Sequence, residues 1–500
     1  MSWVREGTRV KERVSRREFV KAVGLGVAGI GALRALSRGD LFAAQEPRGP
    51  NIVYVFADQH RNCSWSGGGD PQVHTPNLEV LGREGVVFNH CISNYPLCSP
   101  HRASLLTGRY PQANTITANV GGRKGGLPTT EVSIADVLKK AGYATGYVGK
   151  WHLYPGAKGG SRVPAGPDRH GFDWWRVCHN YRRRYDTKYF DDSGKEIVLP
   201  DYAPKCQMDL AFEFIEKNKD KPFCIFVSWH PPHPPYAEAP KRFAEMYSPE
   251  KIRLRPNVPK ESDRLRVRER HVQYFAHVSA LDEEIGRLMK KLAELGLADN
   301  TLVCYSSDHG DMLGSFGLAA KRKPWEESIN VPFVIRWPAG IPARSAPLDT
   351  LFSTVDVTPT LLGLAGLPAR GAPQMQGADI SAILKGKDAP GPESAFIMSI
   401  SHGGDEEEDE ADAEKEGRRE KKKEKKGKKE GKMVDWRGVR THRYTFVKRE
   451  DEGAMVPWLL YDNQNDPYQM RNLLDDPAHA QTRKELDAAL AKWQKRVGEA

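Results

Sequence analysis

The sequence predicts an α/β protein with a large mixed, mainly parallel sheet flanked by helices and a small C-terminal α+β subdomain of antiparallel strands and a helix. Apolar runs of strand length recur at residues 51–57, 223–229 and 301–306. Such continuous runs are typical of strands that are buried on both faces of a parallel sheet. Segments with helical spacing separate these runs, and a chain of 500 residues is long enough for one large domain and a smaller one.

Bulk composition indicates a soluble protein with long polar segments. The hydrophobic fraction is 39% and the mean hydropathy is −0.60, and no apolar run reaches membrane-spanning length. The net charge of +10 could indicate nucleic-acid binding, but many of the basic residues lie in the N-terminal region and one low-complexity run. An anionic substrate explains the remaining basic residues equally well, so no nucleic-acid partner is predicted. Seven sparse cysteines predict no disulfide framework, and Cys224 and Cys304 are expected to be inert buried thiols.

Residues 1–44 are predicted to be a twin-arginine export signal. The sequence Ser-Arg-Arg-Glu-Phe-Val-Lys at 15–21 precedes a mildly apolar stretch at 22–36, and small residues follow at Ala43-Ala44. An amphipathic helix is the alternative interpretation. The pattern predicts export by the twin-arginine machinery to the bacterial periplasm or the extracellular space.

Two predicted strands end in acidic residues. The strand at 51–57 is followed by Asp58-Gln59, and the strand at 301–306 precedes Asp308-His309. A single acid after a strand can be a helix cap, but open α/β sheets bind ligands at the carboxyl ends of their strands. We therefore expect Asp58 and Asp308 to meet at this edge and to bind a hard divalent cation through oxygens.

Residues 98–109 are predicted to run from a loop into a short helix. Pro100 suits the first helical turn, and the residues from Ala103 to Leu106 favour helix. Cys98 then lies at the helix N-terminus, where free N–H groups favour a negative charge. A buried, unreactive thiol is the alternative for an isolated cysteine.

The string Cys-Ser-Pro-His-Arg-Ala-Ser-Leu-Leu-Thr-Gly-Arg at 98–109 resembles the signature of type I sulfatases, which belong to the alkaline phosphatase superfamily. The resemblance continues in family order from about residue 51 to about residue 474. It implies an alkaline-phosphatase-like fold and hydrolysis of sulfate esters, with a sulfated glycan or another sulfate ester as substrate. It also implies that a formylglycine-generating enzyme oxidises Cys98 to formylglycine, whose hydrated aldehyde is the nucleophile.

The resemblance also implies the residues that bind sulfate and transfer protons. Lys150 and Lys321 would bind the sulfate group, with Lys323 as the second choice for the latter. Arg102 would steady the formylglycine and the neighbouring ligands. His152 would act as the base that regenerates the aldehyde.

A proline-stiffened loop is predicted at residues 230–236, directly after the strand at 223–229. A positioned imidazole on such a loop suits acid–base catalysis. The resemblance implies that His233 is the general acid facing the leaving oxygen, with His230 as the less favoured alternative.

The implied metal ligands are Asp58, Gln59, the modified Cys98, Asp308 and His309. Many sulfatases have two acids at the first strand end and Asp-Asn at the second, so this chain offers fewer carboxylates and an added imidazole. Ca²⁺ is the first expectation, and the imidazole favours Mn²⁺ or another divalent ion as the alternative. The Asp-His pair also resembles phosphonate monoester hydrolases, so hydrolysis of phosphonate monoesters or phosphodiesters is the alternative activity. A catalytically silent glycan-binding protein would lack some of these residues.

The remaining segments complete the predicted organisation, and substrate specificity is expected to lie in residues 154–200. Within this segment, Arg182-Arg183-Arg184 is predicted to be exposed to solvent, and contact with an anionic substrate is the slightly less favoured alternative. Helices are predicted at 133–141, 206–217, 264–295, 358–364 and 478–497, and further strands at 144–148, 331–335, 436–439, 444–447 and 458–461. Pro359 is expected in the first turn of its helix.

The predicted domains follow from these segments and from one run of charge. The catalytic domain spans 45–403, and the C-terminal subdomain spans 433–500. Between them, residues 404–432 change from an acidic to a lysine-rich block. Such a run cannot bury a core, so it is predicted to be a disordered insertion and not an arm that binds nucleic acid.

Overall fold

A computed structural model describes residues 49–121, 125–155, 162–178, 183–367, 374–401 and 434–499. The predicted export signal and the predicted charged insertion lie outside these ranges. None of the helices within them is long and apolar enough to cross a membrane.

The described residues form strands and helices in the following order. The strands are β1 (Asn51–Asp58), β2 (Val86–Val87), β3 (Cys91–Ile92), β4 (Ala144–Lys150), β5 (Trp174–Cys178), β6 (Thr187–Phe190), β7 (Glu196–Leu199), β8 (Phe223–Pro232), β9 (Thr301–Ser307), β10 (Val334–Arg336), β11 (Phe352–Ser353), β12 (Ser394–Ser399), β13 (Trp436–Thr441), β14 (Tyr444–Asp451) and β15 (Ala454–Asp462). The helices are α1 (Pro76–Arg83), α2 (Cys98–Thr107), α3 (Pro111–Asn114), α4 (Ile134–Lys140), α5 (Ala203–Asn218), α6 (Lys241–Ala244), α7 (Arg264–Glu294), α8 (Glu326–Ile329), α9 (Thr354–Leu364), α10 (Ser381–Leu384) and α11 (Ala480–Val497).

The main sheet confirms the predicted fold class. Its strand order is β2-β10-β9-β1-β8-β4-β5-β6-β7 over the described residues. The five central strands, from β9 to β5, pair in parallel, and the strands at both edges pair antiparallel. The sheet is therefore mixed and mainly parallel, with β1 near its centre.

Helices cover both faces of this sheet because the side chains of β1 alternate between two apolar layers. Tyr54 and Phe56 pack in the layer that includes residues of α2 and α9. Val53 and Val55 pack on the opposite face, in the layer that includes residues of α5 and α7. Burial on both faces explains why the strand is an uninterrupted apolar run.

The C-terminal part of the chain forms a second sheet, β12-β13-β14-β15, with antiparallel pairing throughout. Helix α11 packs on it through residues that include Leu486 and Leu490. This sheet includes β12, which lies inside the range that we assigned to the catalytic domain from sequence. The predicted strands and final helix are present with longer or slightly shifted bounds.

Three local predictions were wrong. His230 to Pro232 extend β8 and do not begin a loop, because Pro232 pairs with Asp58 beyond an irregularity in the β1 register. Pro359 lies inside α9 and not in its first turn, because a capping box formed by Ser353 and Asp356 starts the helix earlier. The strand predicted at 331–335 is confined to Val334–Arg336.

Candidate active site

The two acidic strand ends meet at the carboxyl edge of the main sheet. Strands β1 and β9 are parallel neighbours with Ala57 opposite Ser307, so Asp58 and Asp308 follow at the same level. Both carboxylates are fully buried. Arg102 Nη2 donates to Asp58 Oδ2 at 3.2 Å and to Asp308 Oδ2 at 3.0 Å. The same guanidinium therefore holds one oxygen of each acid.

Cys98 begins helix α2, as the sequence predicted, and it lies over the two acids. Its side chain is buried, and Sγ lies 3.7 Å from Asp58 Oδ1 and 3.3 Å from His309 Nε2. One ligand atom from each of Asp58, Cys98, Asp308 and His309 lies within 4.8 Å of all the others. The four residues therefore form a compact, buried cluster.

This cluster fits a divalent cation. Metal–ligand bonds of about 2.0–2.6 Å let one ion touch four atoms at this mutual spacing. His309 Nδ1 lies 3.1 Å from the carbonyl oxygen of Gly310, which places the proton on Nδ1 and the lone pair on Nε2. Burial alone would lower the pKa of His309, but Asp308 and Cys98 raise it. Asp308 and Cys98 therefore favour a positively charged species at Nε2, which is either a proton or a bound cation.

Gln59 borders the cluster and has other side-chain partners. Its Oε1 accepts a hydrogen bond from Lys321 Nζ at 3.0 Å, and its Nε2 donates to Asp311 Oδ2 at 2.6 Å. Its backbone has a positive φ of 74°, a conformation that costs energy for a residue other than glycine. The backbone N–H of Gln59 donates to Asp308 Oδ1 at 3.0 Å, so this turn fixes the second carboxylate.

Among the described residues, the buried Arg102 and Lys150 contact the acids of the cluster, and the buried Lys321 contacts the neighbouring Gln59. Lys150, at the end of β4, donates from Nζ to Asp58 Oδ2 at 2.6 Å. Burial alone would raise the pKa of Asp58, but the charges of Lys150 and Arg102 bring it well below its usual range. Asp58 is therefore ionised. The positive side chains that stabilise its carboxylate could also stabilise a bound anion.

The candidate general acid His233 is hydrogen-bonded at both ring nitrogens. Its Nδ1 lies 2.8 Å from the carbonyl oxygen of Pro234, and its Nε2 accepts from Lys321 Nζ at 3.0 Å. Burial first, and then the charge of Lys321, lowers the pKa of His233 well below its usual value. The ring is therefore neutral, with its proton on Nδ1, and Nε2 must take a proton before His233 can act as an acid. Lys321 is the adjacent donor for that proton.

His152 follows β4 and is buried with a positive φ of 59°. Its carbonyl oxygen accepts from Ser99 Oγ at 2.7 Å, which ties the turn after β4 to the first turn of α2. This contact brings the end of β4, with Lys150 and His152, close to Cys98.

Arg184 is the site residue that the sequence misplaced. We preferred a solvated face for its run, but Arg184 is fully buried and donates from Nη1 to His230 Nδ1 at 3.2 Å. Arg183 is exposed, and Arg182 lies outside the described residues. Three consecutive arginines give no periodic signal that would single out the buried one.

Two further polar residues, Asp311 and Tyr236, were not anticipated. Tyr236 Oη donates to Asp311 Oδ2 at 2.5 Å, and the same oxygen accepts from Gln59 Nε2. Asp311 follows Asp308-His309 closely in sequence, and that proximity is the signal that could have identified it.

Comparison with known proteins finds a family model and several similar proteins. A family model described as Sulfatase matches residues 50–367. An ulvan-active sulfatase of Formosa agariphila is 36% identical over 91% of this chain and 83% of its own length. An endo-4-O-sulfatase of Bacteroides thetaiotaomicron is 31% identical over 86% of this chain and 89% of its own length. A solved structure from work on glycosaminoglycan metabolism by Bacteroides thetaiotaomicron superposes with a TM-score of 0.78 at 30% identity, covering 90% of this chain and 97% of the other.

Proposed function

The chain belongs to the sulfatase family and is a sulfuric ester hydrolase, and we propose that it is an exported enzyme that removes sulfate from a glycan through a formylglycine made from Cys98. The observation that carries this proposal is the position of Cys98. Its Sγ is within 3.7 Å of ligand atoms of Asp58 and His309. Arg102, Lys150 and Lys321 surround this cluster.

Cys98 is placed where a nucleophile is needed. Sγ stands in for the oxygens of a formylglycine hydrate, of which one would attack sulfur and the other would later lose a proton to expel sulfate. Cys98 lies at the N-terminus of α2, and the positive end of the helix dipole stabilises negative charge there. Arg102 fixes both neighbouring carboxylates, so it orients the ligands around the modified residue.

The cations account for binding of the sulfate group. Lys150 and Lys321 enter from different strands and loops and flank the cluster on separate sides, one at Asp58 and the other at Gln59 and His233. Preorganised cations in a buried site stabilise charge that develops in the transition state more than they would in water. We assign both lysines to the oxygens of the sulfate group.

Proton transfer is assigned to the two histidines. The Nδ1–H of His233 stays bonded to the Pro234 carbonyl, and Nε2 would take a proton from Lys321 Nζ through the hydrogen bond that it already accepts. The imidazolium formed in this way would give the Nε2 proton to the leaving oxygen and return to the neutral ring. His152, linked through Ser99 to the helix of Cys98, would take the proton when the aldehyde is regenerated.

A divalent ion held by Asp58, Asp308, His309 and the modified Cys98 would polarise the attacking hydroxyl and one sulfate oxygen. Gln59 Oε1 accepts from Lys321 here, and its second lone pair could still bind the ion. Ca²⁺ is the proposed ion because the acids are hard oxygen ligands. Mn²⁺ is the alternative because of the imidazole.

A sulfated glycan is the proposed substrate class because two of the similar proteins are an ulvan-active sulfatase and an endo-4-O-sulfatase. Export by the twin-arginine machinery, proposed from residues 1–44, would carry the folded enzyme to extracellular polysaccharide after a formylglycine-generating enzyme has acted on it. A folded, metal-loaded protein is the cargo for which this route is suited.

Parallel assays of an aryl sulfate, an aryl phosphonate monoester and sulfated oligosaccharides test the proposal, with the Cys98→Ala variant as the control. We expect the highest kcat/KM on a sulfate ester and none in the variant. A higher kcat/KM on the phosphonate would replace the proposed activity with the alternative one. Sulfate turnover that survives in the variant would refute the assigned nucleophile.

A further inference from the structure

A second histidine, His230, lies beside the proposed general acid and has no part in the mechanism above. His230 is 4% exposed, and its ring centroid lies 5.0 Å from that of His233. It follows Ser228 by two residues, and the Ser228 hydroxyl accepts from Arg102 Nη1 at 2.5 Å. His230 therefore lies beside the proposed general acid and two residues after a partner of Arg102, which orients the candidate metal ligands.

Arg184 determines which nitrogen of His230 carries the proton. A guanidinium can only donate hydrogen bonds, so the 3.2 Å contact with Arg184 Nη1 makes His230 Nδ1 the acceptor. The hydrogen of the neutral ring must then be on Nε2. Arg184 Nη2 also donates to the carbonyl oxygen of His233, so one arginine holds both histidines.

Arg184 is itself held firmly in place. Its backbone N–H donates to Glu238 Oε2 at 2.7 Å, and its carbonyl oxygen accepts from the N–H of Ala203, the first residue of α5, at 2.7 Å. The guanidinium therefore approaches His230 from a fixed backbone and not from a mobile surface side chain.

The Nε2–H group of His230 is a buried donor for which the described residues supply no acceptor. Buried polar groups are nearly always paired in folded proteins, so such a donor calls for a specific explanation, such as a ligand that completes the bond. Burial first, and then Arg184 and Lys150, lowers the pKa of His230 well below its usual value. The ring is accordingly a neutral donor.

We propose that His230 Nε2–H donates a hydrogen bond to an acceptor oxygen of the bound sulfate ester, and that Arg184 is the positioning residue that keeps His230 in the donating form. The inference deepens the proposed sulfatase activity and rests on it. The acceptor is an oxygen of the sulfate group or of the sugar that carries it, and two substrates distinguish these sources.

Two substitutions of His230 separate its two nitrogens. His230→Asn places a carboxamide where Nδ1 is and can keep the contact with Arg184, but it has no atom at the position of Nε2. His230→Gln can place an amide N–H near the position of Nε2. We expect kcat/KM to fall about tenfold in the Asn variant, the loss of one hydrogen bond, and to recover largely in the Gln variant.

Both variants are assayed beside wild type on an aryl sulfate and on a sulfated oligosaccharide, with thermal unfolding as the check on folding. A loss on both substrates identifies a sulfate oxygen as the acceptor, and a loss on the oligosaccharide alone identifies a sugar oxygen. Wild-type kcat/KM in a folded Asn variant on both substrates, or equal impairment of the Gln and Asn variants, would overturn the proposal.

The positioning role of Arg184 is tested by a double-mutant cycle. Arg184→Met removes every donor, and we expect the loss caused by His230→Asn to shrink in its presence because the two changes act on one interaction. Fully additive losses would contradict the positioning role, and if Arg184→Met does not fold, the Asn and Gln variants decide the proposal. If the wild-type protein hydrolyses no sulfate ester, the proposed function itself fails. If the wild-type protein is active and substitution of His230 does not change kcat/KM, only the role of His230 fails.

Discussion

Two buried aspartates, one at the carboxyl end of a central strand and one on a helix that covers the sheet, illustrate two uses of buried charge. Asp58, at the carboxyl end of β1, contacts Lys150 and Arg102, and its pKa is well below the usual range although burial opposes this. Asp282, on α7, accepts hydrogen bonds from the backbone N–H groups of Asn77 and Leu78 at the start of α1. Burial raises the pKa of Asp282 to about 6.

The difference lies in the partners of each acid. The partners of Asp282 are neutral N–H groups, which complete its hydrogen bonds but do not compensate its charge. These hydrogen bonds connect α7 to the start of α1. Lys150 and Arg102, which also contacts Asp308, compensate the charge of Asp58 and keep it ionised beside the other candidate metal ligands. Asp58 therefore belongs to a site that remains incomplete without ligands, and Asp282 belongs to the scaffold. The following predictions test that division.

The largest expected effect is at the nucleophile. Cys98→Ala should lower kcat on an aryl sulfate by at least about 10⁴-fold, as removal of a nucleophile does in other hydrolases. The free energy of unfolding should change by only about 1 kcal/mol, because a small side chain is shortened. Steady-state kinetics and chemical denaturation measure the two quantities. Unfolding of the variant in the absence of denaturant would show that Cys98 is structural.

The second prediction contrasts a site acid with the scaffold acid. Asp308→Asn should lower metal affinity by at least about 100-fold, since it removes charge from a ligand. Asp282→Asn should keep the metal content of wild type and lose about 1–3 kcal/mol of stability, because one N–H of α1 loses its acceptor. Metal analysis after dialysis and urea denaturation give the readouts. Equal metal loss in the two variants would show that Asp282 contributes to metal binding as much as Asp308 does, which would contradict this prediction.

The third prediction separates two neighbouring lysines. Lys321, which is buried and bonded to Gln59 and His233, should be needed for charge stabilisation. Lys321→Met should therefore lower kcat by about 10²–10³-fold. The matched control Lys323→Met should leave kcat close to that of wild type. The reverse order of effects would move the assignment to Lys323, the second choice from sequence.

The smallest expected effect is the pH dependence of the scaffold acid. The folded-state pKa of Asp282, about 6, lies above its unfolded value near 3.9. The folded protein therefore binds more protons than the unfolded chain between these values, and the stability contributed by this group falls as pH rises through the window. Relative to wild type, Asp282→Asn should lose about 2 kcal/mol less stability at pH 7 than at pH 4.5. A pH-independent difference in unfolding free energy would contradict the raised pKa.

The sequence was informative wherever a local pattern determines position. The apolar strands predicted that Asp58 and Asp308 would lie at one sheet edge, and the run at 98–109 predicted Cys98 at a helix N-terminus. These features depend on strand length, burial on both faces and helix-start residues, which neighbouring residues encode. The structure places these residues together.

The sequence was uninformative where position depends on distant partners. Arg184 is buried because α5, Glu238 and the end of β8 enclose it, and none of these is near it in sequence. The extension of β8 through Pro232 depends on pairing with β1. Strands β5, β6 and β7 were not predicted at all in residues 154–200, because strands of four or five residues carry little periodicity. The role of the Gln59 amide likewise depends on Lys321 and Asp311.

The modification of Cys98 is the central claim, and mass spectrometry of the peptide that contains residue 98 tests it most directly. The protein should come from a host with a formylglycine-generating enzyme, and the same preparation should be assayed on an aryl sulfate. We predict formylglycine at position 98, in a fraction that rises and falls with kcat across preparations. Full sulfatase activity in a preparation whose residue 98 is entirely unmodified cysteine would contradict the mechanism built on this residue.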